Sequence, residues 1–203
     1  MRAVQSQVPG RGPLPVVGEA DLDGKFVVTV MELSGEDGLL GCIQCGTCTG
    51  SCQLSSWMDY TPRRIVDMVR KGLAREVLAS RAIWYCASCY YCTVRCPRGI
   101  KLTEVLYALK SLALARGYAE PGAPAPAFYR TFFEVVGRYG RLYEPGLMIG
   151  VALRSGFGRL FRLAPLGLGM LRRGKMALLP ERVRAVDEVR ALMERVSRGL
   201  VRR

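Results

Sequence analysis

Apolar residues in this chain recur mostly at helical intervals. Ile65, Met68 and Val69 share a face opposite Arg63, Arg64, Asp67 and Arg70, the pattern of a helix half-sunk in a core. Thr61-Pro62 marks its start, a capping hydroxyl followed by proline at the first helical position. From Thr103 to Arg116 the spacing returns in Val105, Leu106, Leu109, Leu112 and Ala113, and Gly117 ends it. A last amphipathic stretch, Glu181 to Arg198, sets Val183, Val186, Val189, Leu192, Met193 and Val196 on one face. Asp21 to Leu33 is more ambiguous. Its Val-Val-Thr-Val centre suits a strand, but Phe26, Val27, Val30, Met31 and Leu33 also fit one helical face. Helix is preferred, broken by Ser34-Gly-Glu-Asp-Gly38.

Turn-forming residues divide the chain. Residues 1–20, with Pro9-Gly-Arg-Gly-Pro-Leu-Pro15, read as a mobile arm, and Pro121-Gly-Ala-Pro-Ala-Pro126 as the clearest linker. After the linker come aromatic-rich helical turns (Phe128, Phe132, Phe133, Val136) and a Gly- and Arg-rich stretch to Lys175. The expected architecture is therefore mainly α: an arm, a cysteine-bearing domain over 21–118, and a helical extension over 119–203. The longest strongly apolar run, Leu147 to Leu153, falls far short of the roughly 20 residues of a membrane span. Arg2 stands alone before a segment broken by Gln, Pro, Gly and Arg, which does not resemble an export signal. A soluble or peripheral protein of the cytoplasm is expected.

Composition narrows the chemistry. There is no histidine, which removes Ser-His and Cys-His catalysis. Lys and Arg total 30 against 17 Asp and Glu, a formal charge of +13. That surplus suits an acidic partner, an anionic membrane surface, nucleic acid or an anionic cofactor. In a reducing compartment, the eight cysteines are expected as metal ligands instead of disulfides.

All eight cysteines fall in two motifs, Cys42-Ile-Gln-Cys45-Gly-Thr-Cys48-Thr-Gly-Ser-Cys52 and Cys86-Ala-Ser-Cys89-Tyr-Tyr-Cys92-Thr-Val-Arg-Cys96-Pro97. Both read C-x2-C-x2-C-x3-C. Three thiolates at two-residue gaps turn inward onto three corners of one 4Fe–4S cubane. The fourth, a helical turn later, points away and in two-cluster ferredoxins ligates the other cluster. Cys42, Cys45, Cys48 and Cys96 are thus expected on one cluster, with Cys86, Cys89, Cys92 and Cys52 on the other. Gly46 lets the first loop bend, and Pro97 turns the chain toward the next helix. Zinc is the plainer alternative, but a four-cysteine zinc site needs two pairs and has no use for the third and fourth cysteines.

Trp57, Tyr60, Trp84, Tyr85, Tyr90 and Tyr91 flank the cysteines. They are read either as a shell that restricts water around the clusters or as ordinary core packing. Arg95, Arg98 and Lys101, beside the last cysteine, either offset cluster charge or form a solvated basic face. No G-x-G-x-x-G follows a strand: Gly156-Phe-Gly158 and Gly167-Leu-Gly169 lack the continuation, so no flavin or nicotinamide site is visible. No cysteine is left over for a substrate, and no substrate-converting site is apparent. A chain of this kind carries electrons between partners.

The first motif, Thr61-Pro-Arg-Arg-Ile65 and the second motif with Cys96-Pro97 resemble the C subunit of heterodisulfide reductases and related complexes. The similarity continues more weakly from Phe132 to Lys175, including Arg138-Tyr-Gly-Arg-Leu-Tyr-Glu144. Gln53 departs from the pattern, since proline often follows the fourth cysteine. The resemblance implies an α-helical ferredoxin fold and two 4Fe–4S clusters. It also implies a relay between a flavin-bearing subunit and a cysteine-rich subunit that forms or reduces a disulfide. Two other functions stay open at this level. One is the relay of a membrane-associated, quinone-linked complex, with the basic C-terminal helix on an anionic surface. The other is a zinc-stapled basic module that binds nucleic acid, for which no reader motif is present.

Overall fold

The structure, a computed structural model, describes residues 18, 22–120, 122–156, 158, 165, 167–170, 172–174 and 179–201. The expected arm lies almost wholly outside them, as does much of the Gly- and Arg-rich stretch. The elements are α1 (Phe26–Ser34), a 3-10 turn (Asp37–Gly41), α2 (Thr47–Ser51), α3 (Pro62–Arg70), α4 (Ala74–Ala79), α5 (Ala82–Tyr85), α6 (Tyr91–Val94), α7 (Leu102–Ala115), α8 (Pro124–Tyr139), α9 (Glu144–Ser155) and α10 (Val186–Val201). No strand occurs among the described residues, and no helix among them is long and apolar enough to cross a membrane. Two compact units result, one ending at Tyr118 and the other starting at Ala119.

In the first unit, α7 is the post around which α1, α4, α5 and α6 pack, while α3 leans on α1, α2 and α4. The sequence pattern explains the choice of helix over strand at 26–34. Phe26 and Val30, four residues apart, are both fully buried, while Val28 between them, which a strand would place on the same face, is half exposed. Ile65, Met68 and Val69 of α3 belong to the same buried core as Leu109 and Leu112 of α7. Each such side chain contributes about 1.5–3 kcal/mol on burial. Gly72 joins α3 to α4 with φ +76, and its carbonyl accepts from Asp23 N–H at 2.9 Å. A Cβ there would lie 2.7 Å from the Asp23 carbonyl oxygen, so the entry to α1 docks where only glycine fits.

The start of α3 differs from expectation in one respect. Thr61 is the N-cap and Pro62 follows it, but the Thr61 hydroxyl makes no capping bond. The acceptor comes from elsewhere: Thr49, within the first cysteine motif, takes the Arg63 N–H on its Oγ1 at 3.0 Å. Glu36 provides a second long-range tie. It is buried, and its carboxylate accepts from Gly38 N–H at 3.0 Å and from Lys101 N–H at 2.8 Å. The approach to the first motif and the exit from the second are thereby bound together.

The second unit corrects two readings. The second half of the expected linker 121–126 is helix, because α8 begins at Pro124. Prolines in a first turn cost nothing, since those N–H groups have no partner within the helix. The apolar run 147–153 belongs to α9, which also opens with proline in its first turn and carries Glu144 there. At the C-terminus the helix starts at Val186, not near Glu181, and Val183 precedes it with its N–H on the Tyr139 carbonyl. Val186 is buried and Val189 and Met193 are half-buried, but Leu192 and Val196 face solvent. Arg154 clasps α9 to α8, reaching Thr131 Oγ1 at 3.0 Å and both Glu134 carboxylate oxygens at 2.8 and 2.7 Å.

Candidate metal centre

The two cysteine loops have one backbone shape, used twice. The second residue after each first cysteine is left-handed, Gln44 at φ 56 and Ser88 at φ 57. The fourth is left-handed too, Gly46 at φ 83 and Tyr90 at φ 62. Gln44, Ser88 and Tyr90 are the only non-glycine residues with positive φ among those described. Such conformations cost non-glycine residues about 1 kcal/mol or more each. Their repetition at matching positions reels each loop around a point and then releases it into a short helix, α2 or α6. Those two helices pack against each other.

The turns gather the thiols unevenly. Cys52, the fourth cysteine of the first motif, lines a cavity of about 210 Å³ together with Cys86, Cys89 and Cys92 of the second. Leu54, Met58 and Leu106 supply apolar walls, and Tyr90 and Thr103 also line it. Burial raises the Cys52 pKa, and the charges of Cys89, Cys92 and Cys86 add to the rise. The other expected set is less fully assembled. Cys48, pushed up to about 11 by burial, feels the charge of Cys42 but also that of Cys92. Cys42, Cys48 and Cys96 pack against the same core, whereas Cys45 is exposed. The Cys45 pKa is lowered, chiefly by the Thr47 hydroxyl 3.3 Å from its sulfur. No three metal-binding side chains among the described residues close on a single ion position; the thiols stand around a space.

This donor set fits an iron–sulfur cluster. Four thiols around a mostly apolar cavity offer soft ligands and a low dielectric, and backbone strain is committed to aiming them. The flanking aromatics divide between the two readings. Tyr60 and Trp84 pack on the core, while Trp57, Tyr85 and Tyr91 are largely exposed. Tyr90 alone of the six lines the cavity, and its hydroxyl bonds Tyr107, which raises its pKa.

Several contacts to the loops had no sequence signal. Arg70 Nη1 donates to the Cys42 carbonyl at 2.9 Å, and Lys110 Nζ to the Cys86 carbonyl at 3.2 Å. Thr103, buried at the start of α7, places its hydroxyl 3.7 Å from Cys92 sulfur and 3.0 Å from the Thr93 hydroxyl. Of the basic residues beside Cys96, Arg98 reaches the Gly41 carbonyl at 3.2 Å, and Arg95 lies over the Tyr91 ring.

The sequence of this region is similar to that of known proteins. Residues 38–100 match the family model described as a 4Fe-4S dicluster domain. The iron-sulfur C subunit of the CoB–CoM heterodisulfide reductase of Methanopyrus kandleri is 39% identical over 110 residues, covering 51% of this chain and 57% of the relative. The C subunit of the ferredoxin:CoB-CoM heterodisulfide reductase of Methanosarcina mazei is 42% identical over 95 residues, 47% of this chain and 58% of the relative. The C subunit of the H(2):CoB-CoM heterodisulfide,ferredoxin reductase of Methanothermobacter thermautotrophicus is 34% identical over 110 residues, 54% and 59%. The chain thus spans somewhat more than half the length of these relatives.

Proposed function

We propose that this chain is the electron-relay subunit of a cytoplasmic heterodisulfide-reductase-like complex and holds two 4Fe–4S clusters. Cys42, Cys45, Cys48 and Cys96 would hold one, and Cys86, Cys89, Cys92 and Cys52 the other. The observation that carries the reading is Cys52. It belongs to the first motif in sequence but shares a cavity with the three leading thiols of the second, as crossed ligation requires. Similarity to C-subunit proteins from three organisms supports the assignment to this kind of complex.

Bound clusters would supply one-electron redox chemistry. The chain's residues fix where that chemistry sits. The left-handed turns aim the thiols, α7 closes one side of the cavity with Thr103 and Leu106, and Leu54 and Met58 exclude water. With no substrate-converting site read in the chain, electrons enter from one partner and leave to another. The resemblance makes these a flavin-bearing subunit and a cysteine-rich subunit that acts on a disulfide or thiol.

Protein purified without oxygen is expected to carry about eight irons per chain, and reduction by dithionite to give an EPR signal split by two interacting clusters. Cys52→Ser tests the crossing. It should disturb the cluster of the second motif and leave the spectrum of the other, with iron falling toward half. Zinc in place of iron, or an iron-free wild type, would sink the relay. Loss of the same cluster from Cys52→Ser and Cys48→Ser would sink the crossed assignment.

A further inference from the structure

The two loops share a feature besides their turns: in each, the carbonyl of the first cysteine is held by a cationic side chain from a core helix. Arg70, at the end of α3, donates from Nη1 to the Cys42 carbonyl at 2.9 Å. Lys110, in the third turn of α7, donates from Nζ to the Cys86 carbonyl at 3.2 Å. Each helix follows its own motif in the chain, so the two halves share this contact in addition to the cysteine spacing. Neither side chain is freely solvated. Arg70 is only partly exposed, and Lys110 has 4% of its surface in contact with solvent. Burying an ammonium is costly unless something charged or strongly polar compensates. Lys110 is also steadied by the Tyr107 ring, 5.7 Å from its nitrogen to the ring centre.

We infer that Arg70 and Lys110 are matched potential-setting residues, one for each cluster: Arg70 for the cluster held by Cys42, Lys110 for the one held by Cys86. The inference rests on the proposed two-cluster relay. A fixed cation favours the oxidation state with more negative charge, so it raises the reduction potential of the nearer centre. Both residues touch a ligand's backbone, not its sulfur. Their role is to position charge and leave coordination untouched. Lys110 is the more deeply buried, so its field is less screened by water and salt. The cluster of Cys86 is therefore the more strongly raised of the two by its cation, which biases an electron toward it.

The test is an EPR-monitored redox titration of the anaerobic full chain with Arg70→Gln and Lys110→Gln, each of which keeps a donor and loses the charge. Two midpoints are expected in the wild type. Lys110→Gln should lower the reduction equilibrium constant of one cluster at least tenfold, about 59 mV for a one-electron couple. Arg70→Gln should lower the other by a smaller factor. Arg70→Lys and Lys110→Arg, which keep the charge, should leave both midpoints near their wild-type values and keep the inference testable if a glutamine variant loses iron. Unmoved midpoints in iron-replete glutamine variants overturn the inference and leave the relay standing. So does a shift of the same cluster by both variants, or charge-keeping variants that shift as much as the glutamines. A wild type without iron overturns the relay and the inference together.

Discussion

Gly46 and Tyr90 occupy the same place in the two cysteine loops, yet one is the freest residue and the other a bulky aromatic. Both have φ in the left-handed region. A Cβ at Gly46 would meet only the Arg63 side chain, at an ordinary 3.7 Å, so substitution there costs backbone energy and not space. Gly46→Ala is expected to lower stability by about 1–2 kcal/mol. Gly50, four residues on, lies inside α2, and a Cβ added there would meet nothing within 4 Å. Gly50→Ala should therefore raise stability by about 0.5–1 kcal/mol. Opposite shifts in the denaturant midpoint of these neighbours would confirm the loop geometry, and equal shifts would refute it. At this scale the sequence carried the eight cysteines and their spacing in two motifs, because such spacing is local. It did not carry Arg70 or Lys110, which reach loops 28 and 24 residues away. Arg70 reads in sequence as part of a solvated face.

Elements were legible wherever the apolar period was strong and misplaced where a signal had two meanings. Proline-rich 121–126 reads as a linker, but proline also opens helices, and α8 uses it so. Glu181 to Val183 has the right periodicity for α10, yet the Val183 N–H is engaged by the Tyr139 carbonyl and the helix waits until Val186. The cap of α3 is the clearest case. A threonine before a proline is the local signature, but the hydroxyl that takes the Arg63 N–H is that of Thr49. Thr49→Val should therefore cost about 1 kcal/mol, the usual value of a lost N-terminal cap, and Thr61→Val far less. Thermal unfolding of both variants decides the matter; a larger loss at Thr61 would return the cap to the residue the sequence points to.

For the molecule as a whole, burial separates what folds the first unit from what loads it. The fully buried core runs from Phe26 to Ala113 without a single cysteine, and six thiols (Cys42, Cys48, Cys52, Cys86, Cys92 and Cys96) rest on its outside, partly covered. Thiols in such positions behave as small apolar groups. Far-UV circular dichroism of chelator-treated, iron-free protein should thus keep most of its helical signal, with only α2 and α6 loosened; collapse to a coil would show that the metal makes the fold, as it does in zinc fingers.

Seen this way, the chain is a scaffold finished before its cargo arrives. If the iron-free chain keeps its helices, iron and sulfide come to a vessel already shaped by the cysteine-free core. The rim where delivery takes place offers one exposed cysteine in each loop, Cys45 and Cys89. Maturation then has a handle at each loop for a carrier to grip, and damage from oxygen, entering at the same two points, is open to repair by reloading without refolding.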